Sequence, residues 1–280
     1  MSFVPKLIIV DLAALILLFL ALYLLKNVFR IVRGGFSIRK KTFDGEGCKM
    51  RIVDIIYLSG SKCSRRGLVT EGGYQGAVPL GKKHRKTLVY AAFCSDFLSL
   101  PGEENIKSTL TLGGGAGAVP FYTYHRYNAV SDVIEINKEC IKNAKKYFTR
   151  GADINYICAD ALDGAKKLLG EGKRYQFIFC DLFVGPSPAK VVFEKELMTT
   201  LSALAGSDGI FVMNGTNQDV RSMNTVLANA ESAFGQTALF MCRNSLVLCG
   251  TNRTDIELIN TGNKRNGMFP VYPKTPFHVG

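Results

Sequence analysis

The 280-residue sequence holds eight cysteines but no Cys-x-x-Cys pair, and its only histidines are His84, His125 and His278. Zinc sites draw three or four ligands from closely spaced Cys and His, so no metal is expected. Thiols without a pairing pattern fit a reducing compartment, and Cys158 and Cys180, each closing an apolar run, read as buried thiols. No internal repeat and no low-complexity tract occurs. The apolar share of 47% and charged share of 21% exclude a disordered chain and a polytopic membrane protein. Acidic residues are scarce, 23 against 35 Lys and Arg, leaving a net charge of +12.

Long hydrophobic runs are also absent, with one exception. Residues 7–25 are Leu, Ile, Val, Ala, Phe and Tyr, with Asp11 as the single charge. At about 1.5 Å per residue, a helix of that length just crosses a hydrocarbon layer of roughly 30 Å. A cleaved leader has a shorter apolar core ending in small residues, whereas Lys26, Arg30 and Arg33 follow here. Residues 1–32 are therefore expected to be a single-pass anchor, with Asp11 near the helix start, where the interface and the positive end of the dipole receive it. Between Lys26 and Lys86 there are 15 Lys and Arg against 4 Asp and Glu, a difference of 15 − 4 = +11. A basic stretch directly after an anchor fits attraction to anionic lipid and places the following domain in the cytosol. With no RNP-like, KH-like or zinc-knuckle pattern, nucleic acid is not expected as a partner.

Residues 33–49 carry Gly34, Gly35, Gly45 and Gly47 among their charges and read as a basic linker. Residues 50–100 read as a small β-rich subdomain closed by a helix over 86–100, which Pro101 and Gly102 stop. Over 101–252 short apolar runs at 109–112, 129–136, 154–158, 177–181 and 209–213 alternate with helical segments. Residues 253–280 form a tail. The alternation predicts an α/β, Rossmann-like, mostly parallel sheet whose ligand lies beyond the strands' C-terminal ends. The runs 237–242 and 245–249, split by Arg243 and Asn244, suit an antiparallel hairpin.

Thr109-Leu-Thr-Leu-Gly113-Gly114-Gly115-Ala116-Gly117 sets a glycine cluster between a strand and a helix, where backbone can approach a ligand and the helix start offers unpaired N–H groups. Such a loop also serves plain turns. Its weight grows because the next strand ends in Glu135, about twenty residues on, where a carboxylate can take two ribose hydroxyls. A third strand ends at Ala159-Asp160-Ala161, placed for an adenine amino group, although a helix cap would use an aspartate there equally well.

The segment 90–249 resembles the spermidine synthase family, polyamine aminopropyltransferases built on a class I methyltransferase-like fold. The resemblance rests on Leu112-Gly-Gly-Gly-Ala-Gly117, Val133-Ile-Glu-Ile136 followed by Cys140-Ile-Lys-Asn-Ala-Lys-Lys-Tyr-Phe148, Ala159-Asp160, and Phe177-Ile-Phe-Cys-Asp181 running to Gly185-Pro-Ser-Pro-Ala189. It implies a donor site for S-adenosylmethionine or its decarboxylated form. Gly113, Gly115 and Gly117, with Gly114 between them, would pack on the methionine-derived part. Glu135, followed by Ile136, would hold the ribose, and Asp160 with Ala161 would border the adenine. Asp181 would sit beside the reacting centre, with Tyr90 as a substrate-site tyrosine.

Four positions depart from the family. Its Asp-x-x-Asp-Pro loop reads Asp181-Leu182-Phe183-Val184 here, the acid inside the glycine motif is Ala116, the acid after the tyrosine is Ala92, and a later glutamine is Asn214. A polyamine is a polycation that needs several carboxylates, so Asp181 nearly alone serves it poorly. Methyl transfer asks less, because the sulfonium is already activated and in-line binding supplies much of the rate. The expectation is a membrane-anchored S-adenosylmethionine-dependent methyltransferase-like enzyme with an unidentified acceptor. A divergent aminopropyltransferase, or a silent scaffold of the same fold, are the alternatives. Whether the β-rich part completes the acceptor site, forms a homodimer or only spaces the domain from the bilayer stays open. Asn214-Gly-Thr216 and Asn252-Arg-Thr254 are formal glycosylation sequons, which a cytosolic domain leaves unmodified.

Overall fold

The computed structural model describes residues 4–45, 48–59, 62–70, 73–81, 106–185, 187–216, 220–242, 245–258 and 268–270. The helix expected over 86–100, with Tyr90 and Ala92, lies outside the described residues.

Helix α1 (Val4–Asn27) opens with Pro5 in its first turn, where a missing N–H costs nothing, and continues through Leu and Ala, both good helix formers. Its side chains described from residue 12 to 25 include eleven large apolar ones, each 44–66% exposed. Among the described residues no helix is long and apolar enough to cross a membrane, the α1 side chains being described over residues 12–25 alone.

Strands β1 (Phe29–Val32), β2 (Gly35–Asp44), β3 (Lys49–Tyr57), β4 (Arg65–Thr70) and β5 (Gly73–Pro79) form an antiparallel sheet in sequence order. This corrects the expectation of a linker over 33–49. Gly34, at φ +81°, makes the turn between β1 and β2, and a Cβ on Gly35 would run into the Ile56 carbonyl oxygen of β3. The glycines mark a tight turn and a close strand approach.

The second sheet contains β6 (Ser108–Leu112), β7 (Val130–Glu135), β8 (Ile154–Cys158), β9 (Phe177–Cys180), β12 (Ile210–Thr216), β13 (Gln236–Cys242), β14 (Ser245–Thr251) and β15 (Met268–Pro270). A two-residue pair, β10 (Phe183–Val184) with β11 (Ser187–Pro188), stands outside it. Strand order is β8-β7-β6-β9-β12-β14-β13-β15. β8, β7, β6, β9 and β12 are parallel, while β14, β13 and β15 join antiparallel. The expected hairpin is present, with Cys242 opposite Ser245.

Helices α2 (Ala118–Tyr127), α3 (Lys138–Asn143), α4 (Ala161–Gly170), α5 (Lys195–Ala205) and α6 (Val220–Glu231) complete the layers. On one face α4, α5 and α6 bury Leu168, Leu201, Leu204 and Val226 against Leu110, Ile178 and Phe211. On the other, Val119 and Tyr122 of α2 pack on Phe177, Phe179, Val212 and Phe240. Near-continuous apolar strands such as Phe177–Cys180, all buried, are what a parallel sheet covered on both faces requires. A third cluster joins the two sheets: Phe43, Ile52, Leu68 and Val78 meet Ala116, Cys140 and Phe148.

Of the two cysteines expected to be buried, Cys180 is and Cys158 is exposed. β8 is the outermost parallel strand, so its last residue has no neighbouring strand on one side, while β9 lies in mid-sheet.

Candidate active site

The chain passes from β6 outward through β7 to β8, then returns to the other side of β6 as β9. That reversal opens a crevice beyond the carboxyl ends of β6 and β9, where ligands of open α/β sheets sit. The loop after β6 is the glycine cluster, and the residue after β9 is Asp181.

Each glycine is required by its surroundings. Gly113 at φ +85°, Gly115 at +46° and Gly117 at +66° adopt backbone that L side chains avoid. A Cβ on Gly113 would strike the Asp181 carbonyl oxygen, and one on Gly114 would lie 2.9 Å from Val133 Cγ1 and 3.2 Å from Glu135 Cβ. The loop lies against the ends of β7 and β9. Gly117 caps α2 without a side-chain hydrogen bond, so the helix's first N–H groups have no capping side chain.

Glu135 closes β7 and turns toward this loop. Gly115 N–H donates to its Oε2 at 3.0 Å and Asn137 N–H to its Oε1 at 2.9 Å. Both oxygens are thereby oriented while keeping lone pairs for further donors. Beside Glu135, Ile136 is 52% exposed, an apolar surface at a strand end that suits a flat base.

Asp160 is the N-cap of α4, its Oδ1 accepting from Leu162 N–H at 2.8 Å. The helix-cap use is thus present at this residue, which remains exposed with further acceptor capacity. Ala161 is buried as the first residue of α4.

Asp181 is anchored by its N–H, which donates to Leu112 carbonyl at 2.9 Å. Asn214, buried near the end of β12, donates Nδ2–H to Asp181 Oδ1 at 2.9 Å. Burial pushes the Asp181 carboxyl up to about 6, with the Asn214 hydrogen bond acting the other way. A carboxylate titrating just below neutrality suits a general base.

Two supports escaped the sequence reading. Tyr156 of β8 and Thr149 pair through their hydroxyls at 3.2 Å behind Gly117, and burial pushes the tyrosine up to about 12, so it stays neutral. On the other flank, Gly76 of β5 comes so near that a Cβ there would be 3.0 Å from Ala116 Cβ. The Gln75 carbonyl oxygen is equally near Gly115, 3.2 Å from where a Cβ would stand. A glycine inside a strand signals such an approach, though not its partner. Among the described residues no three His, Cys, Asp or Glu side chains are gathered to hold a metal ion.

No protein-family model matches the chain. A polyamine aminopropyltransferase of Methanocaldococcus jannaschii is 26% identical over 174 residues, 58% of each chain. A probable spermidine synthase from Corynebacterium glutamicum superimposes with a TM-score of 0.64 at 17% identity, over 82% of this chain and 89% of that one. The chain thus resembles spermidine synthases in fold and, over 58% of its length, in sequence. Human methyltransferase-like protein 13, solved in complex with SAH, follows the same fold with a TM-score of 0.50 and 19% identity, over 71% of this chain and 98% of that one.

Against that spermidine synthase-like frame the departures acquire places. Val184, where the second carboxylate would stand, belongs to the β10-β11 pair and is exposed. Ala116 is 1% exposed beneath Gly76, a spot with no room for a carboxylate. Asn214 is the partner of Asp181.

Proposed function

We propose that the chain is a membrane-anchored transferase that binds S-adenosylmethionine over the glycine loop and moves its methyl group to a weakly charged acceptor. The placement of Glu135 carries this reading: its carboxylate is oriented by Gly115 and Asn137 beside the glycine loop that follows β6. The pieces fit a nucleoside: a carboxylate for paired hydroxyls, exposed Ile136 for a base, Asp160 at the rim, and first-turn N–H groups of α2 for a carboxylate tail. When bound, the donor supplies an activated sulfonium carbon. The protein's part is to hold the acceptor in line and to take its proton. Asp181, titrating near 6 and oriented by Asn214, is ionised at pH 7 and can accept a proton from an N–H or O–H within hydrogen-bond reach. The loop that follows, Leu182 to Pro188, contains no acid, which favours an acceptor without multiple positive charges.

A second reading, aminopropyl transfer from the decarboxylated donor, is favoured by the Methanocaldococcus relative, of which the match covers 58%. Calorimetric titration with both nucleosides separates the two. Binding of S-adenosylmethionine supports methyl transfer, and binding of only the decarboxylated form overturns it. If neither binds at about 1 mM, roughly −4 kcal/mol, the chain is a scaffold of this fold.

The membrane part of the proposal is supported by the apolar run of residues 7–25, the exposed apolar α1 side chains described over 12–25, and the basic residues that follow. Alkaline carbonate should fail to release the full chain from membranes. With the catalytic part in the cytosol, Asn214 and Asn252 stay unglycosylated, so a mass shift removed by a glycan-cleaving enzyme would reverse the orientation.

A further inference from the structure

Away from the nucleoside crevice, a cavity of about 520 Å³ opens between the first sheet and the segment after α3, lined by Lys40, Arg66, Lys145, Lys146, Tyr147 and Arg150. Five of its six lining residues are cations. Asp54 is the carboxylate at hand, and it is already held by Arg66 through two hydrogen bonds of 2.6 and 2.9 Å, with Lys40 at 3.7 Å. Among the described residues no other carboxylate pairs with these cations, so the wall carries a net 5 − 1 = +4. Like charges converging on one concavity repel, and a bound anion relieves that repulsion.

The cavity is built into the fold. Arg66 Nη1–H donates to the Tyr147 carbonyl at 3.0 Å, joining β4 to the far wall. That wall is a π-helical turn, Ala144–Phe148, closed by Thr149 N–H to the Ala144 carbonyl at 3.0 Å, and such turns recur at functional sites. Its position relative to α1 is also fixed. Val28, one residue past the helix end, accepts from Arg39 N–H at 2.7 Å, and Lys40 is the next residue on β2. At roughly 3.3 Å per strand residue, Lys40 stands within about 10 Å of the end of α1, the depth of a headgroup layer if α1 spans the bilayer.

We propose that this cavity binds the phosphorylated headgroup of an anionic membrane lipid. The proposal rests on the membrane reading of α1 for the source of the anion. Arg66, fixed by Asp54, offers a rigid guanidinium edge, and Lys40, Lys145, Lys146 and Arg150 supply mobile charges around more than one phosphate. A volume of this size takes an inositol phosphate and is larger than a single phosphate ion needs.

The test uses the full chain in neutral detergent micelles, titrated calorimetrically with inositol 1,4,5-trisphosphate and, separately, with inorganic phosphate. Inositol trisphosphate should bind, and Lys146→Glu/Arg150→Glu should weaken it by about tenfold or more at 0.15 M salt. Lys167→Glu/Lys190→Glu, with the same change of charge on the opposite face of the sheet, should leave binding intact. Failure of the trisphosphate to bind, or equal loss in both double variants, overturns the site. Inorganic phosphate binding as tightly as the trisphosphate overturns the lipid source. The titration is independent of anchoring, so release of the chain by carbonate would refute the membrane reading and the lipid source while leaving the anion site standing.

Discussion

Replacing Asp181 by Asn isolates one buried charge. The carboxyl rises from an ordinary 3.8 to about 6, a little over two units, because burial penalises the charged form more than the Asn214 hydrogen bond favours it. At about 1.4 kcal/mol per unit this is about 3 kcal/mol, a ceiling because the side chain keeps some access to solvent. The sign follows from the direction of the shift. A carboxyl whose folded pKa lies above its unfolded one adds stability below pH 3.8, where both states are protonated, and loses it as the pH rises through 6. Wild type at pH 7.5 therefore carries the full penalty. Asp181→Asn keeps an oxygen to accept from Asn214 and carries no charge, so its advantage over wild type should grow by about 2–3 kcal/mol between pH 4 and pH 7.5. Thermal unfolding followed by circular dichroism across that range measures the difference, worth about 4–10 °C at a chain of this size. A difference that does not change with pH would refute the account of Asp181 as a desolvated carboxylate. The same variant should lose the acid limb near pH 6 in the rate profile, with donor affinity held within about threefold.

Glu135→Ala should weaken nucleoside binding by roughly 1–3 kcal/mol in calorimetry, and it also strips the Gly115 and Asn137 N–H groups of their acceptor, so unfolding should cost about 1–2 kcal/mol less. Ala116→Asp, which restores the family's acid, should destabilise the chain by about 2–4 kcal/mol in urea unfolding, since a carboxylate there meets Gly76 in a buried cluster. Gly113→Ala should abolish donor binding, because its Cβ collides with the Asp181 backbone that forms the other wall of the crevice.

Strands β6 to β9 and β12 to β14 were readable because each is a short apolar run, and their ends fall within a few residues of the expected ones, whereas the short β10-β11 pair was not expected. Glu135 and the glycine loop were readable because both chemistries are local: a carboxylate at a strand end and a backbone that tolerates positive φ. The β2 strand was not. Its consecutive Arg39-Lys40-Lys41 run looks like solvated linker, and only pairing with β3 and contact with a distant helix make it a strand. Asp160 shows the limit of local reading in another way. The structure shows this residue as a helix cap, and spacing alone does not separate that use from a place beside a bound nucleoside. Long-range partnerships, Asn214 with Asp181 and Gly76 with Ala116, have sequence separations that no periodicity encodes.

The contact of β5 with the glycine loop makes the two sheets share one wall. A molecule that settles against Gly115 stiffens a segment on which Gln75 and Gly76 rest, so occupancy at the crevice also fastens the amino-terminal sheet and, through β2, the base of the long helix. Hydrogen exchange in β5 should slow when donor is added, which would make the amino-terminal half of this chain a sensor of what its other half holds.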